Sequence, residues 1–454
     1  MIGSPRIRRA TIVLGAALSL VVAGSAVALH PGSTPGSPTA DLPGSPTGGP
    51  TSTLAPSSTA APATGEGTRS PAATPRTATP TATPTPTHHP TAGSSSTASP
   101  APPGSAPSAL HVSGNHLVNS AGQVVTLHGA DMSGSEFVCV QESNTSDPFG
   151  GQPEDNPATF AAMKSWGINV VRIPLNEDCW LGINGAYISG AAYQDPIIQL
   201  VDNLEADGFY VILDLHWSGP GTQEATNQND YPDADHSPAF WSSVASTFKA
   251  DPGVLFDLYN EPIGYWIANG ESEWQCLWQG CEVTESMTGS NAYTSGVDWQ
   301  TAGFTQLTSS IRATGAQNVI MAACMGWAED CSDWASAYQT WSSEDANTAV
   351  SWHAYPGSGD VPSEDESGYW NPTIAPLAAK HPVIIGETGD SVTPPTPYLS
   401  LLLPWTQQHS IAGVLAWTWN AWGNPSDVLV SDMESGTPTA GEGVTYQDWL
   451  RSLG

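Results

Sequence analysis

From residue 109 to residue 454 the chain repeats one rhythm, a short apolar run followed by a segment whose apolar residues have helical spacing. Strands are expected at 124–130, 169–174, 210–214, 254–260, 318–322, 349–353, 383–387 and 413–419, with helices such as 157–166, 192–206, 238–249, 299–313 and 397–409 between them. A run like Val254-Leu-Phe256 places apolar side chains at consecutive positions, which suits a strand covered on both faces, as in a parallel sheet. Eight such βα repeats predict an α/β chain closed into a (β/α)8 TIM barrel rather than an open doubly wound sheet. A short N-terminal β-hairpin is expected ahead of it, over Leu110 to Leu127, turning at Gly114 and at Asn119-Ser-Ala-Gly-Gln123. The stretch 263–297, rich in Trp, Gly, Ser and Glu, is expected as a decorated loop.

What precedes the barrel has another composition. Arg6, Arg8 and Arg9 lead into an apolar, small-residue run from Thr11 to Leu29 that holds Ala26-Val27-Ala28, the layout of a secretory signal cleaved after Ala28. An uncleaved membrane anchor is the alternative, because the run is close to the roughly 18 residues that span a bilayer. Residues 29–108 are almost wholly Pro, Thr, Ser, Ala and Gly. With so little to bury they are expected as a disordered, extended linker. The expected order is therefore a signal peptide over 1–28, the linker over 29–108 and a catalytic barrel over 109–454, in a secreted, extracellular, monomeric protein with no membrane contact once the signal is removed.

Charge and cysteines exclude several classes. Beyond residue 108 only six of the 11 basic residues remain, whereas all but Asp41 and Glu66 of the 43 acidic ones do. Such a surface repels nucleic acid. All six cysteines lie in this region, and an even number in an exported chain argues for disulfides. Cys276 with Cys281 and Cys324 with Cys331 close short loops, which leaves Cys139 with Cys179. None has the spacing of a zinc or redox site. No Gly-x-Ser-x-Gly elbow, Walker lysine motif or Gly-x-Gly-x-x-Gly follows a strand, against serine hydrolases of that type and nucleotide enzymes. Asp230, Asp233 and Asp235 lack the spacing of a calcium loop. No cofactor or metal is expected.

The last residues of the expected strands carry the chemistry. The second ends in Arg172, the third in His216, the fourth in Asn260-Glu261-Pro262, the sixth in His353-Ala-Tyr355, the seventh in Gly386-Glu387-Thr388 and the eighth in Trp417-Thr-Trp419. Singly, each has a structural reading as a solvated loop residue or a satisfied core side chain. Together, on the C-terminal lip where barrels keep their active sites, they describe glycosidic bond hydrolysis. One carboxylic acid protonates the leaving oxygen, another attacks the anomeric carbon, and aromatic faces hold the sugar. Glu261 and Glu387 come from opposite sides of the mouth, where two carboxyls can approach to about 5 Å, the retaining separation. Arg172 and Tyr355 suit a negatively charged nucleophile, and Asn260 suits the sugar 2-hydroxyl. Trp419 is expected as the platform at the cleavage point, with Trp417 on the same face. The Glu261 carboxyl is expected to hold its proton, because the charge of Glu387 lies beside it.

On these motifs the chain resembles glycoside hydrolase family 5, a family of retaining cellulases and mannanases on a (β/α)8 barrel, across essentially all of 109–454. The resemblance implies Glu261 as acid/base and Glu387 as nucleophile. It implies Arg172, His216, Asn260, His353, Tyr355 and Trp419, with Trp417 as the substitute for the last, as the substrate-binding shell. Trp266, Trp274, Trp278, Trp327 and Trp334 suggest further stacking subsites, or equally loop packing. The substrate expected is a polysaccharide or oligosaccharide, and the activity an endo-β-1,4-glucanase. Within the family a β-mannanase, an exo-β-glucosidase or a diglycosidase are alternatives, and outside it a non-catalytic carbohydrate-binding protein.

Overall fold

A computed structural model describes residues 106–264, 272–283, 298–342, 345–356, 365–422 and 427–454. The expected signal, nearly all of the linker and Trp266 lie outside the described residues. Among them, no helix is long and apolar enough to cross a membrane.

Eight strands form the barrel: β1 (Leu127–Asp131), β2 (Val170–Asn176), β3 (Tyr210–Trp217), β4 (Val254–Asp257), β5 (Ile320–Ala323), β6 (Thr348–Ala354), β7 (Val383–Thr388) and β8 (Gly413–Ala416). Each pairs in parallel with the next, and β8 returns to β1 through Gly413 beside Leu127, so no edge is left open. Pro174 sits inside β2, yet the β1 ladder ends at Asp131 beside Arg172. A residue with no N–H is tolerated there because no partner strand asks for one. The helix Pro157–Trp166 shows how the outer ring is punctuated. The Asn156 side chain accepts the Ala158 N–H, proline takes the first turn, and Gly167 closes the helix at φ 93°.

Alternation along the strands divides the barrel into two layers. Leu127, Val170, Ile212, Leu255, Met321, Ala349, Ile384 and Leu415 form one buried apolar cluster. At Gly129, between Leu127 and Asp131, an added Cβ would lie 2.5 Å from a Val170 methyl, so only glycine fits. Two residues further along their strands, side chains of the same parity are polar: Arg172 after Val170, Asp214 after Ile212, Asp257 after Leu255 and Ser351 after Ala349. All four are fully buried. An apolar floor thus supports a charged layer beneath the mouth.

Several expectations change here. The expected strand 124–130 is two pieces, because Val124–Val125 pairs with His116–Asn119 in a three-stranded antiparallel sheet with Leu110–Ser113. Leu110 and Leu117 from that sheet join the apolar floor. The expected helix 299–313 begins at Phe304, since Trp299–Gln300 pairs instead with Glu282–Val283. The disulfides join Cys139 to Cys179, Cys276 to Cys281 and Cys324 to Cys331. Trp278 and Trp334 are buried, and the Trp334 ring stacks on Tyr338 at 4.9 Å while its N–H donates to the Ala322 carbonyl. Neither is free to hold a sugar.

Candidate active site

Arg172 is the centre of the charged layer. Its guanidinium reaches Glu387 at 2.8 Å, Asp131 at 3.0 Å, Asp214 at 3.1 Å and Asp257 at 3.3 Å. Burial works against its charge, and Asp214, Asp131, Glu387 and Asp257 more than reverse that. Four carboxyls around one cation cannot all be ionised at low cost. Burial pushes Asp257 up to about 8, so it keeps a proton at neutral pH, and raises Asp131 well above its ordinary value.

Glu387 ends β7, nearly buried, with two donors on it. Arg172 Nη1 reaches Oε1, and the Tyr355 hydroxyl donates to Oε2 at 3.0 Å. Burial and the Glu387 charge hold the Tyr355 phenol well above its usual range, so it stays a donor. Glu261 lies just past β4, partly exposed. Its Oε1 is 2.9 Å from His353 Nδ1, which is also 3.6 Å from Glu387 Oε2. Burial drives the His353 imidazole down to about 4, so it is neutral. Its Nε2 is buried with no partner among the described residues. An unpaired acceptor costs less than an unpaired donor when only one nitrogen carries hydrogen, which places the proton on Nδ1, facing Glu261.

A carboxylate oxygen of Glu261 and one of Glu387 lie within 4.8 Å of each other, with His353 between them. The Glu261 carboxyl is pushed up to about 7. The expected direction is found with a different cause: burial dominates and Asp214 adds to it, while His216 and Arg172 pull the other way.

His216 Nδ1 lies 2.6 Å from Asp214, and the stacked ring of Trp417 is 5.7 Å away. Burial opposes charge on His216, and Asp214 outweighs it, raising the pKa. Asn260 Oδ1 accepts from Arg172 Nη2 at 2.8 Å.

Trp419 does not stand with these residues. Its ring is fully buried, packed at 4.8 Å on Trp166 of the helix outside the barrel, and its N–H donates to the Met433 carbonyl. The physical reason is that β8 stops at Ala416. Beyond it, the Trp419 backbone N–H and the Thr418 hydroxyl both turn to the Asp131 carbonyl, so strand alternation no longer says where a ring points. Trp417 is the partly exposed ring. Trp419→Ala is therefore expected to destabilise the fold by about 3–5 kcal/mol, the usual cost of emptying a buried tryptophan site. Trp417→Ala is expected to leave the unfolding midpoint nearly unchanged and to weaken sugar binding; the opposite pattern would reverse the two roles.

The strand ends did not reveal everything. Phe137, past β1, lies 6.4 Å from the Trp217 ring and 6.1 Å from that of Trp422, past β8. All three are at least partly exposed, and form an aromatic group at the same lip. Asp131, Asp214 and Asp257 were also missed, although Asp214 lies two residues before His216, and Asp131 and Asp257 close their strands. Glu177, Asp178 and His236 converge as well. The four carboxylate oxygens there already accept from Gly219, Ser237, Ala225 and Asn184, as braces for the loops.

The profile of the cellulase family, glycosyl hydrolase family 5, matches residues 127–423. Endoglucanase A of Paenibacillus barcinonensis is 26% identical over 151 residues, 31% of this chain and 37% of that protein. A xyloglucan-specific endo-β-1,4-glucanase of Bacteroides ovatus is 27% identical over 155 residues, 34% of this chain and 29% of that protein. The matches thus span roughly a third of the length of these curated relatives. A crystal structure of a β-glucanase from Saccharophagus degradans in complex with cellotetraose has a TM-score of 0.53 at 18% identity, covering 76% of this chain and 94% of that one. At that identity the likeness is one of fold.

Proposed function

The chain belongs to glycosyl hydrolase family 5, and from that premise we propose that it is a secreted, retaining endo-β-1,4-glucanase acting through Glu261 and Glu387. The observation that carries this is the carboxylate pair, with oxygens within 4.8 Å. That proximity is closer to the roughly 5 Å separation of a retaining pair than to the wider spacing of an inverting one, and it suits direct attack by one of them.

In the first step Glu261, which keeps its proton up to about pH 7, gives it to the glycosidic oxygen. Glu387 attacks the anomeric carbon and the alcohol departs, leaving a glycosyl ester. In the second, Glu261 as carboxylate takes a proton from water, whose oxygen displaces Glu387. Arg172 and the Tyr355 hydroxyl favour negative charge on Glu387 before attack and as it leaves. His353 orients the Glu261 carboxyl, and Asn260 supplies an N–H for the 2-hydroxyl. Trp417 holds the ring at the cleavage point, and Phe137, Trp217 and Trp422 hold the sugars beyond it. A non-catalytic sugar-binding protein has no use for two glutamates so differently placed, one able to keep its proton and one between two donors.

Incubation with cellulose derivatives, mixed-linkage glucan, xyloglucan, mannan and aryl β-glucosides tests the substrate class. Internal cuts in β-1,4-glucan, seen as a rapid fall in viscosity with cello-oligosaccharide products, are expected. Release of single sugars from chain ends, or cleavage of mannan alone, would refute it.

A further inference from the structure

The residues that carry the chemistry are held from a neighbouring loop. After β3 the chain runs out to Gln228-Asn229-Asp230 and lies along the segment past β4. The Asn229 carbonyl accepts the Tyr259 hydroxyl at 2.7 Å, and the Asp230 carbonyl accepts the Ile263 N–H at 3.1 Å. Next to these, the buried Gln228 side chain makes two bonds. Its Oε1 accepts from Asn260 Nδ2 at 2.6 Å, and its Nε2 donates to the Glu261 carbonyl at 2.5 Å.

The polarity of this chain of contacts has one solution. Arg172 has only donors, so the Asn260 atom beside Nη2 is the oxygen. The Asn260 nitrogen must then face Gln228, whose own oxygen receives it, and the Gln228 nitrogen is left for the Glu261 carbonyl. Gln228 thereby takes one hydrogen of the Asn260 amide. The other, with only a weak 3.3 Å contact to His216 Nε2, is what remains for a sugar hydroxyl.

We propose that Gln228 is a positioning residue: it fixes the direction of the Asn260 amide and the placement of the Glu261 peptide, and so sets how strongly the substrate 2-hydroxyl is used in the reaction. This rests on the reading of Asn260 and Glu261 given above. A residue that merely fills space between the two loops would have no effect specific to that hydroxyl.

Gln228→Met keeps the length and removes both bonds, while Gln228→Glu keeps an acceptor for Asn260 and loses the donor to Glu261. The two variants and the wild-type chain are compared on an aryl β-cellobioside and on its counterpart deoxygenated at C2 of the ring to be cleaved, with kcat and KM separated and unfolding midpoints recorded. The double ratio cancels the different intrinsic reactivity of the two substrates. Gln228→Met is expected to lower kcat/KM on the parent substrate by about 10- to 100-fold, chiefly in kcat, the scale of a misplaced contact to the transition state. On the deoxy substrate the loss is expected to be smaller by about fivefold or more, since the Asn260 contact is already missing there and only the hold on Glu261 remains to be lost. Gln228→Glu is expected to retain most of the preference for the hydroxyl. Equal losses on both substrates in Gln228→Met overturn the proposal, as does a preference lost as fully in Gln228→Glu. A wild-type enzyme that accelerates both substrates equally overturns it too. That last failure belongs to the reading of Asn260 and is visible without any variant.

Discussion

Glu387→Gln is expected to reduce turnover of β-glycosides by about 10⁴-fold or more, the scale seen when a covalent nucleophile is removed. The amide keeps the shape of the carboxylate and can still accept from Arg172, but it forms no glycosyl ester. The fold should persist, because Arg172 retains Asp131, Asp214 and Asp257 at 3.0 to 3.3 Å. Sugar affinity should persist as well, because the aromatic rings of the mouth are untouched. Titration with a cello-oligosaccharide, followed by calorimetry, then separates binding from chemistry. In Glu387→Ala a small anion such as azide can occupy the vacated volume and attack the same face of the sugar, and the product should be the α-glycosyl azide. Turnover by Glu387→Gln within tenfold of wild type, or a β-glycosyl azide from the alanine variant, would remove Glu387 from its role.

Glu261→Ala is expected to lose about 10²- to 10⁴-fold on substrates with poor leaving groups, the range that general acid catalysis supplies. A dinitrophenyl leaving group departs without a proton, so formation of the glycosyl ester from such a substrate should change little and hydrolysis of that ester should become limiting. The pH profile gives an independent check. The wild-type acid must be protonated to work and its carboxyl is pushed up to about 7 by burial, so kcat/KM is expected to fall as pH rises through that value. The groups facing it are His353, His216, Arg172 and Asp214, with the Gln228 amide beside them. The limb should vanish in Glu261→Ala with the dinitrophenyl substrate. An alkaline limb that survives there belongs to another group.

Much of this architecture was legible in the chain. Eight apolar runs marked the barrel because parallel strands bury both faces, and the strand ends marked the mouth because apolar residues stop there. What escaped had a physical cause in each case. Trp419 was misplaced because period-two reasoning was carried past Ala416, where the ladder had ended. Trp278 and Trp334 looked like sugar platforms because a large amphipathic ring serves a core and a binding cleft equally well. Asp214 and Asp257 lay inside apolar runs, where an isolated acid looks like an interruption until Arg172 is set opposite it. Gln228 left no local signal at all. Its partners are Asn260 and Glu261, 32 and 33 residues further along the chain, and only the folded loop brings them together.

The crowding of acids around Arg172 looks excessive for a resting protein and makes sense for one that turns over. Whenever Glu387 is esterified to sugar it ceases to be an anion, and a guanidinium paired with it alone would be left as a solitary charge in a sealed interior, at a cost of several kcal/mol. Here Asp131, Asp214 and Asp257 stay in contact, and burial raises the pKa of Asp131 and of Asp257. The site can therefore lose and regain one negative charge in every cycle while Arg172 keeps carboxyl partners.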